Sequence, residues 1–138
     1  MTQIFKSLEP IHYHGCTVLY YELDDVNSVN FIEKGEYCLG YEINKKVHLK
    51  LKFCAHTCFG AFECSYDKRS VFIYKTYTPC QGYIIRKSNW KALENCNKEL
   101  FDIMRRRTLY HYFYKIRNPL LIEKTNDIKQ YDLRADYK

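Results

Sequence analysis

No apolar run in this chain approaches the roughly 20 residues a membrane-spanning helix needs. Any span of a protein containing it would lie outside these residues. Met1 to Glu9 lacks the apolar core of a secretory signal. A reducing, cytoplasmic setting is therefore expected. The 7 cysteines, an odd count, are expected to serve as small core residues rather than as a disulfide framework. Three catalytic signatures are missing: a Gly-rich phosphate loop ahead of a lysine, a nucleophile elbow and a metal-binding helix motif. There is no internal repeat and no low-complexity block. The chain reads as a non-enzyme with no cofactor and no metal.

What is present points to a packed β domain. The 138 residues suffice for one domain with a real core. Apolar residues make up 46%, which argues against disorder. Aromatics reach 17%, mostly from 14 tyrosines, a residue suited to half-buried strand positions with a wet hydroxyl. The net charge of +6 fits an acidic ligand, an anionic partner or the inner face of a membrane. It is too diffuse for a dedicated nucleic-acid binder.

Along the chain, residues 1–14 read as an N-terminal lead-in. Ile4, Phe5 and Leu8 are spaced for one helical turn, which Pro10 stops. His12 and His14 share a strand face and are expected to be partly exposed rather than metal ligands. Residues 15–87 read as a β-roll, with strands Thr17–Tyr21, Val29–Lys34, Tyr37–Ile43, Val47–Phe53, Val71–Tyr77 and Cys80–Lys87. Asp24 and Asp25 lie on a solvated loop. Asn44-Lys45-Lys46 has the character of a tight hairpin turn. Val47, Leu49, Leu51 and Phe53 alternate with His48, Lys50 and Lys52, so this strand is expected to bury the first set and present a basic outer face. Cys54, His56 and Cys58 would share one face. With Cys64 they are the best metal constellation, but small core residues are the favoured reading.

Residues 88–117 read as C-terminal helices. Ser88 caps the first, whose inner face is Trp90 and Leu93 with Ala92 beside them. Leu100, Ile103, Met104, Leu109, Phe113 and Ile116 form the stripe of a second helix from Lys98 to about Ile116, which Pro119 ends. Arg105, Arg106 and Arg107 form a solvated basic turn on it or, more sharply, a contact for acidic lipid, a neighbouring subunit or an anion. Residues 118–138 read as a tail or final amphipathic helix, with Ile128, Tyr131, Leu133 and Tyr137 as its apolar positions.

The most unusual local chemistry lies from Phe59 to Lys75. Phe59-Gly60-Ala61 allows a tight turn with unshielded amides. A polar loop, Ser65 to Lys68, follows, and Arg69-Ser70 stands just before an apolar strand. Turn amides make a nest for phosphate oxygens, and arginine adds a bidentate clamp. Glu63, read as lying on a strand, would face the same side as Ala61 but further along.

With Phe31-Ile32-Glu33-Lys34-Gly35 upstream and Ile85-Arg86-Lys87-Ser88-Asn89-Trp90 downstream, the chain resembles the cyclic-nucleotide-binding domain superfamily from about Gly15 to Arg117. The resemblance implies an eight-stranded jelly roll, mainly β with C-terminal helices, carrying a phosphate cassette that a C-terminal helix closes. On this resemblance, Arg69, Ser70 and the amides of Gly60 and Ala61 would meet the cyclic phosphate. The cassette is degenerate: Ala61 stands where ligand-binding members carry the glutamate that holds the ribose, and Gly60 to Arg69 is one residue short. Glu63 is the substitute for the sugar contact, and the lid would come from Phe101 to Leu109.

The chain looks most similar to the cytosolic C-terminal domain of voltage-gated cation channels. This would imply a gating or assembly domain of a potassium channel, working with the transmembrane region or neighbouring subunits, with cAMP or cGMP as ligand. The alternative is a ligand-free jelly-roll scaffold module. Nucleic-acid binding through the lysines of Val47–Phe53 ranks last.

Overall fold

Strands form where alternation and turn chemistry agree. The computed structural model describes residues 6–136, with side chains described to residue 130. Its strands are β1 (Glu9–Tyr13), β2 (Val18–Tyr20), β3 (Ser28–Lys34), β4 (Tyr37–Ile43), β5 (Lys46–Phe53), β6 (Thr57–Phe59), β7 (Ile73–Thr76) and β8 (Cys80–Arg86). A short helix α1 (Ala61–Tyr66) interrupts the series. After β8 come α2 (Lys87–Cys96), α3 (Lys98–His111), a π-helical segment (Tyr112–Arg117) and α4 (Asn118–Asp136).

Two four-stranded sheets, ordered β1-β8-β3-β6 and β2-β7-β4-β5, pack as a β-sandwich of the jelly-roll kind with C-terminal helices. All strand pairs are antiparallel. The β4–β5 hairpin closes on Asn44 and Lys45, both at positive φ (51° and 64°), the two-residue turn whose twist matches paired strands.

β1 occupies much of the expected lead-in. A helical turn through Lys6 and Ser7 does stop ahead of Pro10, and Pro10 itself lies on an edge strand, where its missing N–H removes no central ladder bond. Ile4 and Phe5 lie outside the described residues. In β5 the register shifts opposite Leu39 and Gly40, and Lys50 is the extra residue. This bulge inverts the alternation, leaving Val47 and Leu49 exposed while Leu51 and Phe53 pack against the core. The basic outer face is also partly neutralised. Lys52 pairs with Glu36 at 2.8 Å, and Lys50 pairs with Asp127 of α4 at 3.2 Å.

Two cores share the interior. One lies between the sheets, with Tyr37, Leu39, Tyr41, Phe59 and Tyr74 joined by Tyr112, Ile116 and Leu120 from the C-terminal helices. The other packs Val29, Cys64 and Ile85 against Trp90, Leu93 and Phe101. The tyrosines go deeper than half-buried. Tyr37, Tyr41 and Tyr74 are fully buried, with hydroxyls satisfied by Thr57, Asp127 and Glu63. Cys38, Cys64 and Cys80 are core residues, whereas Cys16, Cys54, Cys58 and Cys96 are exposed. His56 turns the chain at φ 66°, so Cys54, His56 and Cys58 do not share one alternating face.

The helices depart from the expected pattern at their ends and faces. α2 begins at Lys87 after an extended Arg86, so Ser88 lies inside it rather than capping it. Trp90 and Leu93 are its buried positions, and Ala92 is exposed. The inner face of α3 is Phe101, while Leu100 and Ile103 are exposed. Pro119 does not terminate the helical run. It occupies the first turn of α4, where its fixed φ suits a helix start. Ile128 of α4 is exposed, and the side chains of Tyr131, Leu133 and Tyr137 lie outside the described residues.

Candidate ligand-binding cavity

α1 is too short to be stable by propensity; its neighbours hold it. It starts at Gly60, whose φ is +90°, a conformation open to glycine. A Cβ at Gly60 would sit 2.5 Å from the Ser28 carbonyl oxygen. It ends at Asp67, also left-handed, whose carboxylate binds Lys87 at 3.0 Å and Lys91 at 3.1 Å on α2. These ammonium groups, Lys87 first, hold the Asp67 carboxyl below its usual range. The Trp90 indole N–H donates to Ser65 Oγ at 2.9 Å, and Lys91 Nζ donates to the Ser65 carbonyl at 3.0 Å. The Tyr66 hydroxyl donates to the Arg105 carbonyl on α3 at 3.0 Å. The Phe62 ring stacks on Tyr112 with centroids 3.8 Å apart and planes 8° from parallel. α1 is thereby tied to the first three of the four elements that follow the roll, from α2 to the π-helical segment.

Beside α1 lies a cavity of about 340 Å³. One wall is His56 through Glu63 with Tyr74; the other is Arg107, Thr108, His111, Tyr112 and Ile116. Phe59, Phe62, Tyr74 and Tyr112 are among its lining residues. Glu63 is 2% exposed and accepts a hydrogen bond from the Tyr74 hydroxyl at 2.9 Å. Burial pushes the Glu63 carboxyl above its ordinary value, with the bonds from its own backbone and from Tyr74 opposing the shift. His111 is held below its ordinary value by burial and then by Lys115, so at neutral pH it lines the cavity uncharged. Among the described lining residues, Arg107 is the one permanently charged cation.

The five residues expected to form an anion pocket are divided. Gly60, Ala61 and Glu63 line the cavity. Glu63 does so from a helix rather than a strand, which brings it under Tyr74 instead of further along an edge. Arg69 and Ser70 do not line it. The Ser70 amide donates to the Asp24 carbonyl at 2.9 Å, and the Ser70 carbonyl accepts from the Leu23 amide at 2.6 Å. This backbone clasp leaves Arg69 on the outside, paired with Asp25 at 3.3 Å across an exposed surface. Ser70 Oγ is buried and donates to the Phe72 carbonyl at 2.6 Å.

The helical wall of the cavity lies later in the chain than the stretch expected to form a lid. Phe101 belongs to the core under α2, and the cavity is covered by residues 107 to 116. Of the arginine run, Arg107 reaches the cavity, while Arg105 packs over the Tyr66 ring at 5.0 Å. Sequence reasoning missed Phe62, Tyr74 and Tyr112, which read as ordinary core aromatics. Only Tyr112 had a signal, the four-residue spacing of Thr108, Tyr112 and Ile116. Among the described residues, no helix is long and apolar enough to cross a membrane, and no group of three or more metal-ligating side chains is assembled.

No protein-family model matches the chain, and no curated protein matches it. Solved structures do. The regulatory domain of Toxoplasma gondii PKA with cAMP aligns at a TM-score of 0.61 and 14% identity, covering 66% of this chain and 35% of that one. A putative cyclic nucleotide-binding protein from Geobacter metallireducens aligns at 0.63 and 13%, covering 74% of both chains. The sensor domain of the transcriptional regulator DNR from Pseudomonas aeruginosa aligns at 0.67 and 8%, covering 84% of this chain and 79% of that one. This chain therefore has the fold of the cyclic-nucleotide-binding domains. It spans about a third of the first of these neighbours.

Proposed function

We propose that this is a regulatory, non-catalytic domain whose cavity is a ligand site and whose C-terminal helical segment is the output. One observation carries the reading: the cavity is walled on one side by the roll and α1, and on the other by the end of α3 and the π-helical turn. π-helical turns recur at functional sites, and this one contributes Tyr112 and Ile116 to the wall. A ligand there must change the balance between two positions of that segment by its differential affinity for them. α4 is held on the roll by Asp127, which accepts from the Tyr41 hydroxyl and pairs with Lys50. Movement of the π segment would thus load a defined latch.

In the cyclic-nucleotide form of this reading, cAMP or cGMP would enter beside Gly60 and Ala61, with Arg107 meeting the phosphate in place of Arg69. Calorimetric titration tests that form. Saturable heat lost in Arg107→Ala and kept in Arg69→Ala supports it, and no heat at millimolar nucleotide ends it. In the cation-channel form, α3 and α4 would hand their movement to a pore or a neighbouring subunit at the inner face of a membrane. A second reading has its own observation. The outer face of α3 exposes Leu100, Ile103 and Tyr110, surface that a ligand-free scaffold module would bury against a partner. It predicts that Ile103→Glu breaks an assembly that filling the cavity leaves intact.

A further inference from the structure

Three features of the cavity bear on the ligand it takes. Its walls carry four aromatic rings, Phe59, Phe62, Tyr74 and Tyr112. Its deep polar group is an acid, the Glu63 carboxyl, which is 2% exposed and uses one oxygen to accept from Tyr74. Its cations are few: Arg69 is turned outward to Asp25, and Arg107, exposed on the helical side, is the one arginine that lines it. A phosphate pushed into this space would lose water beside a buried carboxyl, and burying a charge without close partners is strongly unfavourable. A carboxyl offers several lone pairs, so beyond the bonds from Tyr74 and from its own backbone it can take one more donor. A volume of about 340 Å³ is at the small end for ligand pockets and admits a bicyclic ring with room to spare.

We propose that the cavity takes a flat, phosphate-free aromatic ligand bearing one hydrogen-bond donor directed at Glu63, neutral or weakly basic and of the size of an indole or a purine base. The proposal rests on the cavity being the sensing site. Ring faces on the walls stack on such a body, and offset or edge contacts favour it beyond its buried area.

The test is a matched set of probes on the isotope-labelled wild-type chain: indole, 1-methylindole and indoxyl phosphate, followed by the amide spectrum. Indole is expected to saturate at millimolar concentration and to shift the amides of Phe62, Glu63 and Tyr112. Methylating the ring nitrogen should weaken binding about five- to tenfold, the loss of one net hydrogen bond. Indoxyl phosphate should leave those amides in place. Glu63→Leu should reduce indole to the affinity of 1-methylindole; the wild-type series stands by itself if that variant does not fold. Equal binding of indole and 1-methylindole, tighter binding of indoxyl phosphate, or no saturable shift from indole would overturn the proposal. If indole fills the cavity while hydrogen exchange from Arg107 to Leu121 is unchanged, the ligand class stands and the sensing role fails. If indoxyl phosphate binds and that segment responds, the sensing role stands and the ligand class fails.

Discussion

Removing one hydroxyl, in Tyr74→Phe, probes the floor of the cavity. The ring stays, its packing against Phe59 and Tyr20 is kept, and only the donor to Glu63 is lost. A hydrogen bond to a buried carboxyl contributes about 2 kcal/mol, most of which appears as the cost of leaving the acceptor unpaired. Unfolding entropy near the midpoint is about 2.1 cal/mol/K per residue. Over 138 residues that is about 0.29 kcal/mol/K, so the loss should lower Tm by about 7 °C. Differential scanning calorimetry at neutral pH reads this directly.

The acid adds a pH dependence with a definite sign. Burial raises the Glu63 carboxyl above its ordinary 4.5, so the folded chain holds the proton to higher pH than the unfolded chain. The contribution of Glu63 to stability is fullest below 4.5 and falls as pH climbs through the raised value, because the folded state must then bury a charge. Glu63→Gln should abolish that fall while keeping an acceptor for Tyr74. A Tyr74→Phe midpoint within about 1 °C of wild type, or parallel pH profiles for wild type and Glu63→Gln, would refute the account of the cavity floor.

Three further outcomes are expected. Arg69→Ala should shift stability by less than about 1 kcal/mol and leave every cavity titration unchanged, because its pair with Asp25 is exposed; a lost titration would return Arg69 to the site. Gly60→Ala should destabilise by about 1–3 kcal/mol in urea unfolding, from a left-handed φ and a Cβ forced against the Ser28 carbonyl. Asp127→Ala should speed hydrogen exchange in α4 while leaving the β3–β8 pairing protected. In wild type, the Tyr41 bond and then Lys50 hold Asp127 below its ordinary 3.8, so the latch is complete above that value and is lost as pH falls through the lowered one.

The sheets were legible because their signals are local. β4 runs from Tyr37 to Ile43 as its pattern predicts, and Asn44 announces the hairpin. The misses have tertiary causes. Nothing local shows that Pro10 lies on an edge, that Lys50 bulges and inverts its strand, or that Pro119 begins a helix rather than ending one. α1 is legible only through partners distant in sequence, chiefly Trp90 and Lys91. The candidate site was half legible. Gly60 to Glu63 could be found because a glycine turn fixes them. Arg69 was misplaced because the direction of a loop side chain is set by the clasp between Ser70 and Asp24, which no spacing rule encodes.

The central claim is that the helical segment reads whether the cavity is full. The most direct measurement is hydrogen exchange of the amides from Thr108 to Leu121 in wild type and in Ala61→Leu, which enlarges a residue lining the cavity with no ligand present. The account predicts that exchange changes about tenfold in the π-helical turn, a shift of about 1.4 kcal/mol in local opening, with the β3–β8 amides unaffected. A folded Ala61→Leu protein whose changes stop at α1, leaving Tyr112 to Arg117 as in wild type, would contradict it.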